Sequence, residues 1–177
     1  MSNYSVQKED LAFSSDASIR DIVHSIIYGT GKEKPRGSWI VLQSLIRDNE
    51  GRPISSKYSY KIFGEGKHKN RGPNTTRTGY LCKEKLYRMI LQPASRMIMD
   101  ETTRSMGKMV PERDVVYFSY KNEIREQDVI IQIKIDEDGY PENPITAIKE
   151  SIITKVYPKK SDNGRVEFYA AIIEDQK

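Results

Sequence analysis

Apolar residues recur at Ile19, Ile22, Val23, Ile26 and Ile27, spaced i, i+3, i+4, i+7 and i+8. That period draws one apolar stripe down a helix. Ser18 can cap the first turn, Asp21 lies three residues on, and Gly29 can end the helix. The pattern predicts a helix over 18–28, with His24 beside the stripe as a packed or surface residue. From Trp39 the period changes. WIVLQSLI (39–46) reads as a strand and RDNEGRP as a turn. SKYSYKIF (56–63) alternates, with Tyr58, Tyr60 and Ile62 on one face and Lys57, Ser59 and Lys61 on the other. The two runs predict a long hairpin. Lys83 to Met99 reads two ways. Leu86, Met89, Ile90, Met97 and Ile98 suggest a helix, yet Pro93 interrupts it.

Beyond Val110 the chain becomes strand-like. Residues 115–120, 129–135, 151–157 and 165–173 are rich in Val, Ile, Tyr and Phe. Val129, Ile131, Ile133 and Ile135 share a face, as do Val166, Phe168, Ala170 and Ile172. DEDG at 136–139 and SDNG at 161–164 are turn sequences. The expected fold is α+β: a mostly antiparallel sheet or small barrel, one or two helices, and extended loops or arms. Residues 1–17 are polar, show no period and are expected to form a flexible arm. Residues 18–177 are expected to form a single domain with a basic loop at about 64–82.

Length and composition sharpen this picture. A chain of 177 residues is most simply one domain that buries a real core. Its apolar content is 37% and its charged content 31%, so much of the surface must be polar or the chain partly extended. No run of 18 apolar residues exists to span a membrane, and the N-terminus lacks the pattern of a secretory signal. The single cysteine forms no internal disulfide, which suits a reducing cytoplasm. Charge is uneven. Arg52 to Arg88 holds ten bases against two acids, while the remainder holds 19 bases against 23 acids. A basic segment on an acidic chain can meet a polyanion or the acidic face of another copy.

The stretch KHKNRGPNTTRTGYLC (67–82) contains His68 and Cys82. Zinc would need four such ligands, and no second pair lies near. Asp136 and Asp138 resemble the start of a calcium loop, but Gly139 comes two positions early and a hairpin turn explains them better. GTGKEKPRG (29–37) lacks the Gly-Lys-Ser/Thr of a phosphate loop and follows a helix instead of preceding one. His68 with Lys69, Arg71 and Arg77 could serve a metal-free nuclease, although nothing in the spacing demands it. Asp114 and Asp128 ahead of Gln132 and Lys134 fit a PD-(D/E)xK-like magnesium nuclease, in which acids hold the metal and the lysine orients water. A strand reading VIIQIKI also produces Gln-x-Lys by alternation alone. Lysines and arginines interleaved with Tyr58, Tyr60, Phe63, Tyr80 and Tyr87 fit nucleic-acid binding across 52–88.

Three segments carry a resemblance: WIVLQSLIRDNEGRP, GPNTTRTGYLCKEKLYR, and DVVYFSYKNEIREQDVIIQIKIDEDGYPENP continued by ITKVYPKKSDNGRVEFYAA. Their order, over roughly Trp39 to Ile173, resembles the small structural proteins of tailed bacteriophages that complete the neck or tail. Cysteine pairs expected around the first turn of such proteins are absent from 47–63. The resemblance implies a non-enzymatic virion protein without metal or cofactor, assembled in the host cytoplasm. It implies a head-tail connector, tail-completion or terminator role in an oligomeric ring. The expected partners are copies of the same chain, other phage structural proteins and packaged DNA, but no membrane. Lys67, Lys69, Arg71 and Arg77 are the expected contacts to a partner subunit or to DNA phosphates.

Overall fold

The computed structural model describes residues 18–58, 74–92 and 113–176. They form helix α1 (Ile19–Tyr28) and seven strands: β1 (Ser38–Leu45), β2 (Asn74–Thr75), β3 (Leu81–Gln92), β4 (Asp114–Ser119), β5 (Val129–Ile133), β6 (Ala147–Lys160) and β7 (Val166–Asp175). Six strands close into an antiparallel barrel in the order β1-β5-β6-β7-β4-β3, and β3 pairs back onto β1. β2 lies outside this circuit, against the start of β3. A single ten-residue helix among the described residues makes the fold mostly β, and the α+β expectation holds only in outline.

Two long strands make closure possible. β3 pairs with β1 over Cys82–Met89 and with β4 over Ile90–Gln92. β6 pairs with β5 over Ala147–Ile152 and with β7 over Ser151–Lys160, with a bulge between Ile153 and Lys155. Each long strand thus passes from one neighbour to the next, and the bulge supplies the bend that a closed sheet needs.

Alternate residues fill the interior. Ile40, Leu42, Val116, Phe118, Ile130 and Ile153 are fully buried there. A second cluster, Val41, Val129, Ile131 and Ile133, covers the outer wall of β1 and β5 with Leu86 and Trp39. β1 and β5 therefore bury both faces, which is why their sequences run apolar without alternation.

α1 packs against β7, β4 and β3. Ser18 Oγ donates to Asp21 Oδ2 at 2.6 Å. Gly29 ends the helix at φ 81°, and a Cβ there would lie 2.8 Å from the Glu33 carbonyl. Only glycine takes both that backbone and that approach without strain.

Several expectations change. Both edges of β1 are taken, by β3 and β5, so the hairpin with 56–63 has no edge to use. Residues 59–63 lie outside the described residues; residues 53–56 make bridges and hydrogen bonds to Arg47 and to 79–81. The 83–99 ambiguity resolves as strand as far as Gln92. The helix-like spacing of Leu86, Met89 and Ile90 arises because β3 has apolar cover on two faces: Leu86 outside, Tyr87 and Met89 inside. Of the antiparallel sheet or small barrel expected, the barrel is found, with β4 beside β7 and away from β5. Finally, the basic loop expected at 64–82 is structured from Asn74 onward. Thr75, Thr76 and Cys82 are buried, and Thr76 Oγ1 accepts from the Tyr80 amide at 3.1 Å. Small hydroxyl side chains achieve there the burial that the stretch lacked in apolar residues.

Candidate docking surfaces and the sequence-predicted site residues

The four residues of the nuclease reading occupy one circuit of the barrel but do not converge. Asp114 is in register with Ile173, and Ile173 with Ile153, whose amide donates to the Asp128 carbonyl. Three strand spacings of about 4.8 Å each therefore separate the two acids along the wall. Lys134 lies six positions beyond Asp128, roughly 20 Å along an extended chain at about 3.3 Å per residue. Asp128 is also occupied. Its Oδ1 accepts the Leu45 amide at 3.0 Å and its Oδ2 the Arg125 amide at 3.0 Å. It caps the end of the β1–β5 ladder and the turn before β5. Burial pushes its carboxyl up to about 6, against the opposing pull of those two amides. Among the described residues, no group of three or more His, Cys, Asp or Glu could hold a metal ion.

The two reactive side chains in the described region are also held internally. Cys82 is buried on β3, and burial, with Glu84 and Asp128 near, pushes its thiol up to about 12. His24 Nδ1 lies 2.7 Å from Ser119 Oγ, and its ring stacks on Tyr28 at 4.9 Å. Burial and the nearby Lys121 lower its pKa, partly offset by Asp21. Ser119 has no exposed surface, so this pair serves to dock α1 on β4. Sequence reasoning placed His24 beside the stripe, but nothing in the sequence paired it with a serine 95 residues away.

Of the expected partner contacts, Lys67, Lys69 and Arg71 lie outside the described residues, as does His68. Arg77 is exposed in the turn between β2 and β3. Other bases of the 52–88 window have internal roles. Arg52 pairs with Asp48 and Glu50, and Lys85 with Glu123 at 3.2 Å. Arg88 lies over the Trp39 ring at 4.3 Å and donates to the Gly37 carbonyl at 3.0 Å. The charge of this window is thus partly spent within the domain, and that weakens it as a nucleic-acid grip.

Among the described residues, two exposed regions remain. One is the mouth of the barrel between β1, β3, β5 and the start of β6. A cavity of about 420 Å³ opens there, lined by Trp39, Ile40, Met89, Leu91, Gln132 and Ile148 among others. Ile148 is 62% exposed and Ile135 52%. The other is the β6–β7 hairpin. Lys155, Tyr157 and Lys159 alternate along β6, in register with Ile172, Ala170 and Phe168 of β7, so they share the outward face. Lys160 and Arg165 follow at its tip, both exposed. Neither region could be found from sequence, because each gathers its residues from strands distant in the chain or depends on which face points out. No helix among the described residues is long and apolar enough to cross a membrane. No family model matches the chain, and neither a curated protein nor a solved structure matches it.

Proposed function

We propose that the chain is a structural subunit of a tailed-phage particle, assembling as an oligomeric ring at the neck or tail. The observation that carries this reading is the barrel mouth. Leu91, Ile135 and Ile148 stand exposed around an open cavity at one end of an otherwise well-filled barrel. Exposed apolar groups gathered in one place mark a surface that another polypeptide covers. Contact by sheet extension is disfavoured. Among the described residues, β5 pairs with β6 only as far as Ile152, and the edge beyond carries Lys155, Pro158 and Lys159. Lysines and proline on an open edge discourage strand addition. Subunits would therefore meet through mouths and hairpin tips.

The test is compositional. Purified particles should contain this chain at a fixed, ring-like copy number, read by quantitative mass spectrometry. Its absence from intact particles sinks the reading. A second reading, nucleic-acid binding, draws on the Lys155-Tyr157-Lys159 face, which sets phosphate-contacting bases beside an aromatic ring. It requires salt-sensitive retention of duplex or single-stranded DNA by the purified protein.

A further inference from the structure

We infer that the two hairpin tips at opposite ends of β6 are the two halves of one contact, made between successive copies of this chain. The inference rests on the ring reading and specifies its interface.

The β5–β6 tip is acidic. Asp136, Glu137 and Asp138 are exposed, and Glu142 follows on the returning limb. The turn is rigid: the Asp136 amide donates to the Tyr140 carbonyl at 2.7 Å, and Asp136 Oδ1 accepts the amides of Asp138 and Tyr140. Tyr140 is 61% exposed at this tip, with Ile135 and Ile148 behind it. The β6–β7 tip is basic. Lys155, Lys159, Lys160 and Arg165 are exposed, Asp162 is the exposed acid of the same hairpin, Asp21 of α1 lies within electrostatic reach of Arg165, and Tyr157 is 43% exposed. Its turn is closed by the Ser161 amide donating to the Arg165 carbonyl at 2.9 Å. None of these four bases takes part in an ion pair among the described residues.

Each tip is therefore a fixed turn with an exposed tyrosine and an excess of one charge, acidic over 134–142 despite Lys134 and basic over 155–165 despite Asp162. They cannot neutralise each other within one chain. β6 runs 14 residues between them, on the order of 40 Å at about 3.3 Å per residue. Successive hairpins of an antiparallel barrel also point to opposite ends. Two copies related by rotation and displacement can bring an acidic tip onto a basic tip. Such a head-to-tail contact uses two different patches, so it repeats until the rotation closes a ring or, failing that, extends a filament. Opposite charges steer the encounter and fix its polarity, since acidic-to-acidic and basic-to-basic docking is repelled. The rim of Tyr140, Ile135 and Ile148 supplies the apolar burial.

The test exchanges the signs. One variant carries Lys159→Glu, Lys160→Glu and Arg165→Glu, which makes both tips acidic. The other carries Glu137→Lys, Asp138→Lys and Glu142→Lys, which makes both basic while Asp136 keeps the turn closed. Five of the six side chains are exposed and Glu142 is half-buried, and far-UV circular dichroism and melting should match the parent. In sedimentation velocity at low salt the parent should form oligomers that shrink as salt rises. Each variant alone should remain monomeric at the same concentration. An equimolar mixture should regain oligomers, with the two variants alternating. Oligomers that persist in both single variants would show that the chain assembles through another surface. That result overturns this inference and leaves the ring reading standing. A parent that stays monomeric at high concentration also overturns it, while the copy number in particles separately decides the ring reading. Salt-sensitive binding of random-sequence duplex DNA, lost in the glutamate variant while oligomers persist, would reassign the basic tip to nucleic acid.

Discussion

The hydroxyl of Tyr28 on α1 accepts the backbone amide of Arg88 on β3 at 3.2 Å, across 60 residues of chain. It does so where the β3–β4 ladder has ended, at Ile90 opposite Tyr117. The same hydroxyl takes Asn122 Nδ2 at 2.9 Å, and Asn122 Oδ1 takes the Ser119 amide at 3.1 Å. Two amides beyond the end of the ladder are thus satisfied through one phenol and one carboxamide.

Removing that hydroxyl tests the arrangement. Tyr28→Phe keeps the ring on His24 but leaves the Arg88 amide and the Asn122 carboxamide without their acceptor. The expected loss is about 1 to 2 kcal/mol in urea unfolding. An unchanged midpoint would mean that water replaces the phenol at no cost.

Gly37, just before β1, lets the chain pass close to the end of α1 and to β3. A Cβ at Gly37 would lie 2.6 Å from the Ile27 carbonyl oxygen and 3.1 Å from the Arg88 Cβ. Backbone atoms give way poorly, so Gly37→Ala should destabilise the protein by about 1 to 3 kcal/mol. Amides of α1 should also exchange faster with deuterium. Wild-type exchange in α1 together with wild-type stability would show that the helix docks without this close approach.

Asp128 gives the protein a particular response to pH. Its folded pKa, about 6, stands above the ordinary 3.8, so the native state holds the proton more tightly than the unfolded chain does. Its stabilising share is complete below the unfolded value and is lost as pH rises through the folded one. Asp128→Asn does not titrate. Between pH 4 and 7 the wild type should therefore lose stability relative to the variant, by about 3 kcal/mol at most. Parallel stability curves for the two proteins across that range would contradict the raised pKa.

Cys82 is a built-in reporter of barrel opening. The thiol is buried and pushed up to about 12, so almost none is thiolate at neutral pH. Native protein should react with a thiol reagent only slowly, at the rate set by opening of the β1–β3 and β2–β3 contacts. Guanidinium-unfolded protein should release one equivalent at once. Immediate stoichiometric labelling of native protein would place Cys82 in contact with solvent.

The sequence was informative where a segment meets one environment along its length. The Ile19–Ile27 stripe faces the barrel on one side, fully buried at Ile27 and open at Ile19, and α1 matches it within a residue. DEDG and SDNG carry their turns locally and close them with local hydrogen bonds. Reading failed where a strand serves two environments. β3 is covered on both faces, and its apolar spacing then imitates a helix. The partner of β1 was misassigned because nearness in sequence favours a hairpin, whereas the barrel gives both β1 edges to strands far along the chain. The nuclease residues looked coherent as a string, but rise per residue and strand spacing hold them apart. The surfaces that now matter were hidden for a related reason: Lys155, Tyr157 and Lys159 share a face by alternation, but the bulge at Ile153–Lys155 decides that this face is the outward one.

The way β1 closes the barrel also orders events in time. β6 and β7 pair across a turn at 161–164, and β5 and β6 across the tip at 136–142, so these contacts form over short loops. The closing ladders join Ile40 to Gln132 and Trp39 to Arg88, and loop-closure entropy must be met before they give any return. Folding should start in the β5–β6–β7 segment and finish with β1, in milliseconds to seconds as for other strand-rich domains of high contact order. Substitutions such as Ile153→Val should then slow folding, whereas Val41→Ala should mainly speed unfolding. The two charged tips would therefore exist before the barrel has closed, while the first strand is still free.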